Sequence, residues 1–139
     1  MSDELYQQAI VALARDRAQA GMLDPAQAQN TRDNPLCGDR VTLTANFSAD
    51  GTLSEIRHKT RGCLLCEAGA SLVARHGKGM AGDAAVKKAS EIRAYLSGAS
   101  EQAPWDSATA FAPVRERKSR HDCVTLAFDA LAGLFQTRS

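Results

Sequence analysis

A run of alternating apolar and polar residues sets the strongest constraint on the fold of this chain. Apolar residues occupy every second position from Val41 to Phe47, with threonine and asparagine among the residues between them. A period of two residues places the apolar side chains on one face, which predicts a half-buried β-strand. Asp50-Gly51 then signals a hairpin turn, because glycine accepts the positive φ that tight turns require. We therefore expect a returning strand over Leu53–Thr60 and an antiparallel sheet.

Helical spacing of apolar residues marks the segments on either side of these strands. A first helix is predicted from Leu5 to about Ala20, with Gly21 as its stop, and another over Asp83–Tyr95. Small residues over Ala68–Ala74 indicate a helix that packs closely against a neighbour. The clearest helix is the last one, whose apolar positions are Cys123, Leu126, Ala127, Ala130, Leu131, Leu134 and Phe135.

Two segments show neither the helical nor the strand spacing of apolar residues. The stretch from Asp24 to Pro35 is rich in glutamine, asparagine and aspartate and is predicted to be a loop or a mobile arm. Residues Ser97–Ser107 are predicted to form a second, loop-rich connection. Because 139 residues suffice for one ordinary domain, we expect residues 1–139 to form a single α+β domain.

Charge and composition exclude several classes of function. The formal net charge is +1 and both signs are interspersed, so nothing here predicts binding to nucleic acid or to an anionic membrane. The acidic start Met1-Ser2-Asp3-Glu4 does not have the pattern of a secretory signal, and we expect a cytoplasmic protein. In a reducing compartment, four cysteines indicate metal ligands or reactive thiols rather than disulfides.

The cysteines fall mainly at the ends of predicted elements. Cys37 precedes the first strand, Cys63 follows the second, Cys66 lies one helical turn later, and Cys123 opens the last helix. Asp39 lies two residues after Cys37 and, on an extended segment, points to the same side, where it could supply an oxygen ligand. Spacing alone leaves a metal or redox site and ordinary buried cysteines both open, since a zinc ribbon needs two Cys-x-x-Cys pairs.

The residues around these cysteines resemble a known family. Residues 34–39 (Asn-Pro-Leu-Cys-Gly-Asp) resemble the N-P-x-C-G-D signature of the IscU/NifU/SufU iron–sulfur assembly proteins. Residues 60–63 (Thr-Arg-Gly-Cys) and the Gly77-Lys78 pair resemble the second cysteine motif and the end of its helix. Residues 120–127 resemble the third motif, a cysteine that opens the last helix. The resemblance implies an IscU/SufE-like fold, with a small antiparallel sheet of about three strands packed with several helices.

The long stretch between Gly77 and Cys123 resembles the SufU branch of the family. This implies that Cys37, Asp39, Cys63 and Cys123 hold zinc, and that Cys37 accepts persulfide sulfur from a SufS-like cysteine desulfurase. The chain would then be a zinc-dependent sulfurtransferase. The Leu-Pro-Pro-Val-Lys motif with which the IscU branch recruits a chaperone does not occur, so that partner is not expected.

Two other functions remain open at this stage. In the first, the same thiolates hold a [2Fe–2S] cluster on a scaffold that passes it to apo iron–sulfur proteins or other assembly factors, with Asp39 making the site labile. In the second, four thiolates, now including Cys66, form a closed structural zinc site. Cys66 stands where the family has a small residue, so it is either a core residue or an accessory sulfur acceptor. His121 is an accessory ligand candidate, and His58 is expected on the exposed face of its strand.

Overall fold

The computed structural model describes residues 3–136 of the chain. Its elements follow in the order α1 (Asp3–Arg15), β1 (Ala28–Asn34), β2 (Asp39–Phe47), β3 (Leu53–Arg61), α2 (Leu64–Gly77), α3 (Gly82–Ser97) and α4 (His121–Gln136), with 3-10 segments at Asp106–Glu116 and Lys118–Arg120 between α3 and α4. The expected α+β architecture is confirmed. None of the helices in the described part of the chain is long and apolar enough to cross a membrane.

The three strands form one antiparallel sheet in the order β1-β2-β3. Val41, Leu43 and Ala45 of β2 are fully buried on the face covered by helices, as their alternation predicts. The hairpin between β2 and β3 turns at Asp50-Gly51, where Gly51 has a φ of +88°. A shift of register at Asn46/Phe47 explains why the alternation in the returning strand is ragged.

The polar segment predicted as a loop contains a strand. Over its whole length β1 pairs with β2, for example Asn30 with Leu43. It is an edge strand, and of its seven residues only Ala28 and Asn34 are buried. The prediction failed because a strand with so few buried side chains needs no apolar alternation, and its pairing is supplied by the backbone.

The first helix also ends earlier than predicted, at Arg15 instead of near Ala20. Beyond it the chain makes a turn at residues 18–19 and meets β3 through an isolated bridge between Ala20 and His58. There the N–H of His58 donates to the carbonyl of Gln19 at 2.9 Å, and the N–H of Gly21 donates to the carbonyl of His58 at 2.8 Å. These bonds give the backbone groups of Gln19 and Gly21 partners on β3 in place of partners in a continued helix.

The prediction for His58 is also wrong, since this residue lies on the buried face of β3 and not on the exposed one. It pairs in register with Leu43, and its side chain is 1% exposed. The register shift at the start of the hairpin puts Ile56 and His58 on the inward face, while Arg57 and Lys59 point away from the core.

Helices α2 and α4 cover the sheet and contact each other closely. A Cβ placed on Gly69 of α2 would lie 3.1 Å from the carbonyl oxygen of Val124 in α4, so the small residue permits this approach. The predicted apolar face of α4 is confirmed, and most of its side chains are fully buried. Trp105 stacks between His76 of α2 and Phe128 of α4, which anchors the irregular connection to the core.

Three chain segments meet at one end of this assembly. They are the turn from β1 to β2, the junction from β3 into α2, and the start of α4; together they line an open cleft of about 510 Å³. Three of the four cysteines lie on the wall of this cleft.

Candidate metal centre

A tight turn presents Cys37. Asn34 and Asp39 are paired across the end of the β1–β2 ladder, and the four residues between them form the turn. The Asn34 side-chain oxygen accepts the N–H of Leu36 at 3.2 Å, and its amide nitrogen donates to Cys37 Sγ at 3.6 Å. Gly38 has a φ of +72°, a conformation that costs glycine little and other residues more. The Asn-Pro-Leu-Cys-Gly-Asp sequence therefore builds an exposed thiol on a fixed turn.

Asp39 is the buried centre of the site, with 3% of its surface exposed. Its Oδ1 atom accepts the backbone N–H of Cys63 at 3.0 Å. Its Oδ2 atom lies 3.5 Å from Cys123 Sγ and 3.8 Å from Cys63 Sγ. Gly62 leaves space for this carboxylate, since a Cβ at that position would overlap Asp39 Oδ1 and lie 2.9 Å from its Cγ. The residue before the cysteine must therefore be glycine for the carboxylate to occupy this position.

Cys63 is the N-cap residue of α2, and Cys66 lies in the first turn of that helix. Hydrogen bonding from the Cys66 thiol lowers the pKa of Cys63 to about 6, with smaller help from the Cys66 N–H and the Cys123 thiol. The same hydrogen bond raises the pKa of Cys66, and burial adds to the effect. Cys63 is thus the thiolate of this pair near neutral pH, in keeping with its place at a helix N-terminus.

Cys123 enters the site from the first turn of α4, where it is 4% exposed. Burial raises the pKa of Cys123 to about 12, and the neighbouring Cys63 and Asp39 add to the shift. Its thiol therefore stays protonated in the absence of a cation and donates to Asp39. A bound cation would reverse this preference, because coordination deprotonates a thiol.

The donor atoms form two overlapping clusters. Atoms of Cys37, Asp39 and Cys123 lie within 4.8 Å of one another, and so do atoms of Asp39, Cys63 and Cys66. Asp39 belongs to both clusters. All four residues predicted as metal ligands are therefore brought together, and so is Cys66, which lies behind the others at 0% exposure.

This donor set fits a zinc ion or an iron–sulfur centre. Thiolates are soft ligands that suit both, and a carboxylate supplies one harder ligand. Asp39 sits in the space that Gly62 leaves open, so its position is enforced by the backbone. With Cys37 exposed on its turn and the cleft open beside it, one side of the site faces solvent, unlike a closed four-thiolate structural site.

His121, predicted as an accessory ligand, has its Nε2 atom occupied by the backbone. That nitrogen lies 2.9 Å from the carbonyl oxygen of Val114 and 3.1 Å from that of Arg115. The ring thus anchors the 3-10 segment to the start of α4. Its role as a ligand stays a prediction.

Two residues of the site were not singled out from the sequence. Asn34 binds Cys37 through its side chain, and Gly62 makes room for Asp39. A local signal existed for both: asparagine before proline often opens a turn through its side chain, and a glycine next to a cysteine indicates a close approach.

Comparison with known proteins identifies the family of the chain and its fold. A family model described as the NifU-like N terminal domain matches residues 5–132. A crystal structure of a NifU-like protein (N-terminal) from Brucella abortus superposes with a TM-score of 0.87 at 28% identity, covering 97% of this chain and 94% of that chain. A proposed iron–sulfur cluster assembly scaffold protein for the SUF system, from Fervidobacterium islandicum AW-1, gives a TM-score of 0.84 at 18% identity, covering 97% of this chain and 99% of that chain.

A search of curated protein sequences gave no significant match. The family resemblance carried by residues 34–39, 60–63 and 120–127 is nevertheless confirmed, because the family model spans all three motifs. The chain therefore belongs to the family of NifU-like N-terminal domains.

Proposed function

We propose that this protein takes part in iron–sulfur cluster assembly by accepting persulfide sulfur from a cysteine desulfurase on Cys37. One observation carries the proposal. The Asp39 carboxylate joins an exposed thiol on a turn to two thiols at helix starts, beside an open cleft. Membership of the NifU-like family supports the same function.

In this proposal Cys37, Asp39, Cys63 and Cys123 hold one zinc ion. When bound, zinc would keep the thiols deprotonated near neutral pH and protect them from oxidation. The chain contributes the fixed positions: Asn34 orients Cys37, and the N–H of Cys63 orients Asp39. Cys37 is the exposed member of the set, so it is the one that a donor protein can reach.

The transfer step is a thiol exchange without net oxidation. The Cys37 thiolate attacks the terminal sulfur of a persulfide on the donor, and the sulfur–sulfur bond of that persulfide breaks. A new sulfur–sulfur bond forms at Cys37, while the donor cysteine leaves as a thiolate. Electrons and atoms balance, so the step requires no further reactant.

The surface around the cleft favours docking of a protein. Leu36 is 90% exposed next to Cys37, and Leu64 is 44% exposed next to Cys63. Arg117, Lys118 and Arg120 are exposed basic residues, and Arg120 lines the cleft. We propose that the desulfurase covers the two leucines and places acidic groups against the basic residues, since apolar anchors inside a charged rim are typical of interfaces.

The experiment that tests this function is sulfur transfer from a desulfurase of the SufS type with cysteine as the source. We expect the wild-type chain to gain sulfur and Cys37→Ala to gain none, with its helical circular dichroism unchanged. Transfer at the wild-type rate in Cys37→Ala would contradict the proposal.

A second candidate is a scaffold on which a [2Fe–2S] cluster is the cargo. The open cleft of about 510 Å³ beside Cys37, Asp39 and Cys123 favours it, because cargo must be able to leave. Anaerobic reconstitution with iron and sulfide, followed by transfer of the visible absorbance to an apo ferredoxin, tests this function. A chain that accepts sulfur yet gives no transferable absorbance would exclude it.

A further inference from the structure

Cys66 is the one donor of the site that the proposed function leaves unused. Its sulfur lies within 4.8 Å of both Cys63 Sγ and a carboxylate oxygen of Asp39. Its side chain is 0% exposed and is fixed in the first turn of α2. A cysteine that only fills the core has no need of a carboxylate as a neighbour, because apolar contacts are sufficient to pack it.

The two donor clusters differ in how freely their members can move. Cys37 stands on an exposed turn, and the Asn34 amide donates to its sulfur over a long distance of 3.6 Å. Cys66 is enclosed by the core and belongs to a regular helix. A carboxylate oxygen of Asp39 lies within 4.8 Å of the sulfur atom of each of these two cysteines, a separation that two ligands of one ion can have. One sulfur can therefore leave the site toward solvent while the other stays.

We propose that Cys66 is a reserve metal ligand that replaces Cys37 when the Cys37 sulfur leaves to carry the transferred sulfur atom. This inference rests on the proposed function, in which Cys37 is both a ligand and the acceptor. The second ligand set then consists of Asp39, Cys63, Cys66 and Cys123.

The exchange conserves the chemistry of the site. Three thiolates and one carboxylate bind the ion before the exchange and after it. The net charge of the site and its softness as a ligand set are therefore unchanged. Cys37 leaves the ion as the thiolate that attacks the persulfide. Cys66 gives up its proton as it binds, and water or the departing thiolate of the donor cysteine takes that proton. No electron moves. The chain thereby keeps its metal through a transfer without borrowing a ligand from a partner.

The test uses cobalt(II) as a spectroscopic substitute for zinc, since thiolate-to-cobalt absorbance rises with the number of bound thiolates. The proteins are the full-length wild type, Cys37→Ala, Cys66→Ser and the double variant. Circular dichroism of each confirms that it is folded, and a competing chelator gives its affinity for cobalt.

We expect three bound thiolates in the wild type, in Cys66→Ser and in Cys37→Ala. In the double variant we expect two, with an affinity more than about 10-fold below that of Cys37→Ala, since even loss of an outer-shell partner costs that much. Equal absorbance and affinity in Cys37→Ala and the double variant would overturn the inference. So would loss of a thiolate in Cys66→Ser alone, which would make Cys66 a permanent ligand.

Failure of the proposed function has a different signature. In that case the wild type gains no sulfur from the desulfurase, whatever the cobalt spectra show. If sulfur transfer depends on Cys37 but the cobalt spectra do not depend on Cys66, the proposed function stands and the reserve ligand does not.

Discussion

Asp39 Oδ1 accepts the backbone N–H of Cys63 at 3.0 Å, and this bond joins the start of β2 to the start of α2. A carboxylate at a helix N-terminus is also favoured by the helix dipole. Asp39 thus has a structural role toward α2 through one oxygen, while its other oxygen faces the thiols of Cys63 and Cys123. The two roles are separable by mutation.

Replacing Asp39 by asparagine should weaken zinc binding with little change in stability. The amide oxygen can still accept the N–H of Cys63, but the negative charge is lost. Asp39→Ala removes the hydrogen bond as well, so we expect it to lower the free energy of unfolding by about 1 kcal/mol relative to Asp39→Asn. Competition with a chromophoric chelator and urea unfolding measure the two effects. Wild-type zinc affinity in Asp39→Asn would refute the ligand role.

Gly62→Ala should disturb the metal site without unfolding the chain. The new Cβ overlaps the carboxylate of Asp39, so the ligand must move and zinc affinity must fall. Gly77→Ala is the matched control at the other end of α2, where the atoms nearest to the Cβ belong to the side chains of Ile56 and Leu53. We expect that control to bind zinc as the wild type does. Equal zinc affinity in both variants would show that Gly62 does not position Asp39.

Leu36→Ser should weaken recognition of the sulfur donor and spare the metal. Its side chain is exposed next to Cys37, so nothing in the described part of the fold depends on it. We expect a higher KM for the desulfurase, an unchanged kcat and an unchanged zinc content. Val86→Ser is the control, because Val86 is 56% exposed on α3 and does not line the cleft. If both variants transfer sulfur with the same KM, the docking surface lies elsewhere.

His58 should make the fold sensitive to acid. Burial lowers the pKa of His58 and Arg17 lowers it further, against the pull of Asp16. Neither ring nitrogen has a hydrogen-bond partner within residues 3–136, so the folded state favours the neutral ring. The unfolded chain therefore binds a proton first as the pH falls, and stability decreases below about pH 6.5, by up to about 1.4 kcal/mol per pH unit.

Urea unfolding between pH 5 and pH 8 checks this prediction for His58. His58→Leu replaces the imidazole by an apolar side chain of similar length that cannot bind a proton. We expect this variant to lose less stability across that pH range than the wild type does. Comparing the two proteins removes the contribution of metal release at low pH, because both keep the same thiols. Parallel curves for the two proteins would show that another group controls the acid sensitivity.

The predictable parts of the structure were those with strong local patterns. The period of two in β2 and the helical period of α4 follow directly from burial on one face, and both are confirmed. The motif around Cys37 and Asp39 indicated both the family of the chain and the candidate metal ligands. Three of the four cysteines stand at ends of predicted elements, a position from which side chains can converge at one edge of a sheet.

Other parts depended on contacts that no local pattern encodes. Strand β1 has mostly polar side chains, and it forms because its backbone pairs with that of β2. The burial of His58 depends on the register shift at Asn46/Phe47, and the end of α1 at Arg15 depends on bonds to β3. The position of Cys66 close to Asp39 could not be predicted, because it depends on where the first turn of α2 lies relative to β2. In each case tertiary pairing overrode the local signal.

The most direct test of the central claim is mass spectrometry of the chain after incubation with the desulfurase and cysteine. The account predicts that the peptide containing Cys37 gains the mass of one sulfur atom, and that the gain disappears when a thiol reductant is added. A sulfur atom carried only on the peptide with Cys63 and Cys66, or on no peptide while the desulfurase itself is charged, would contradict it.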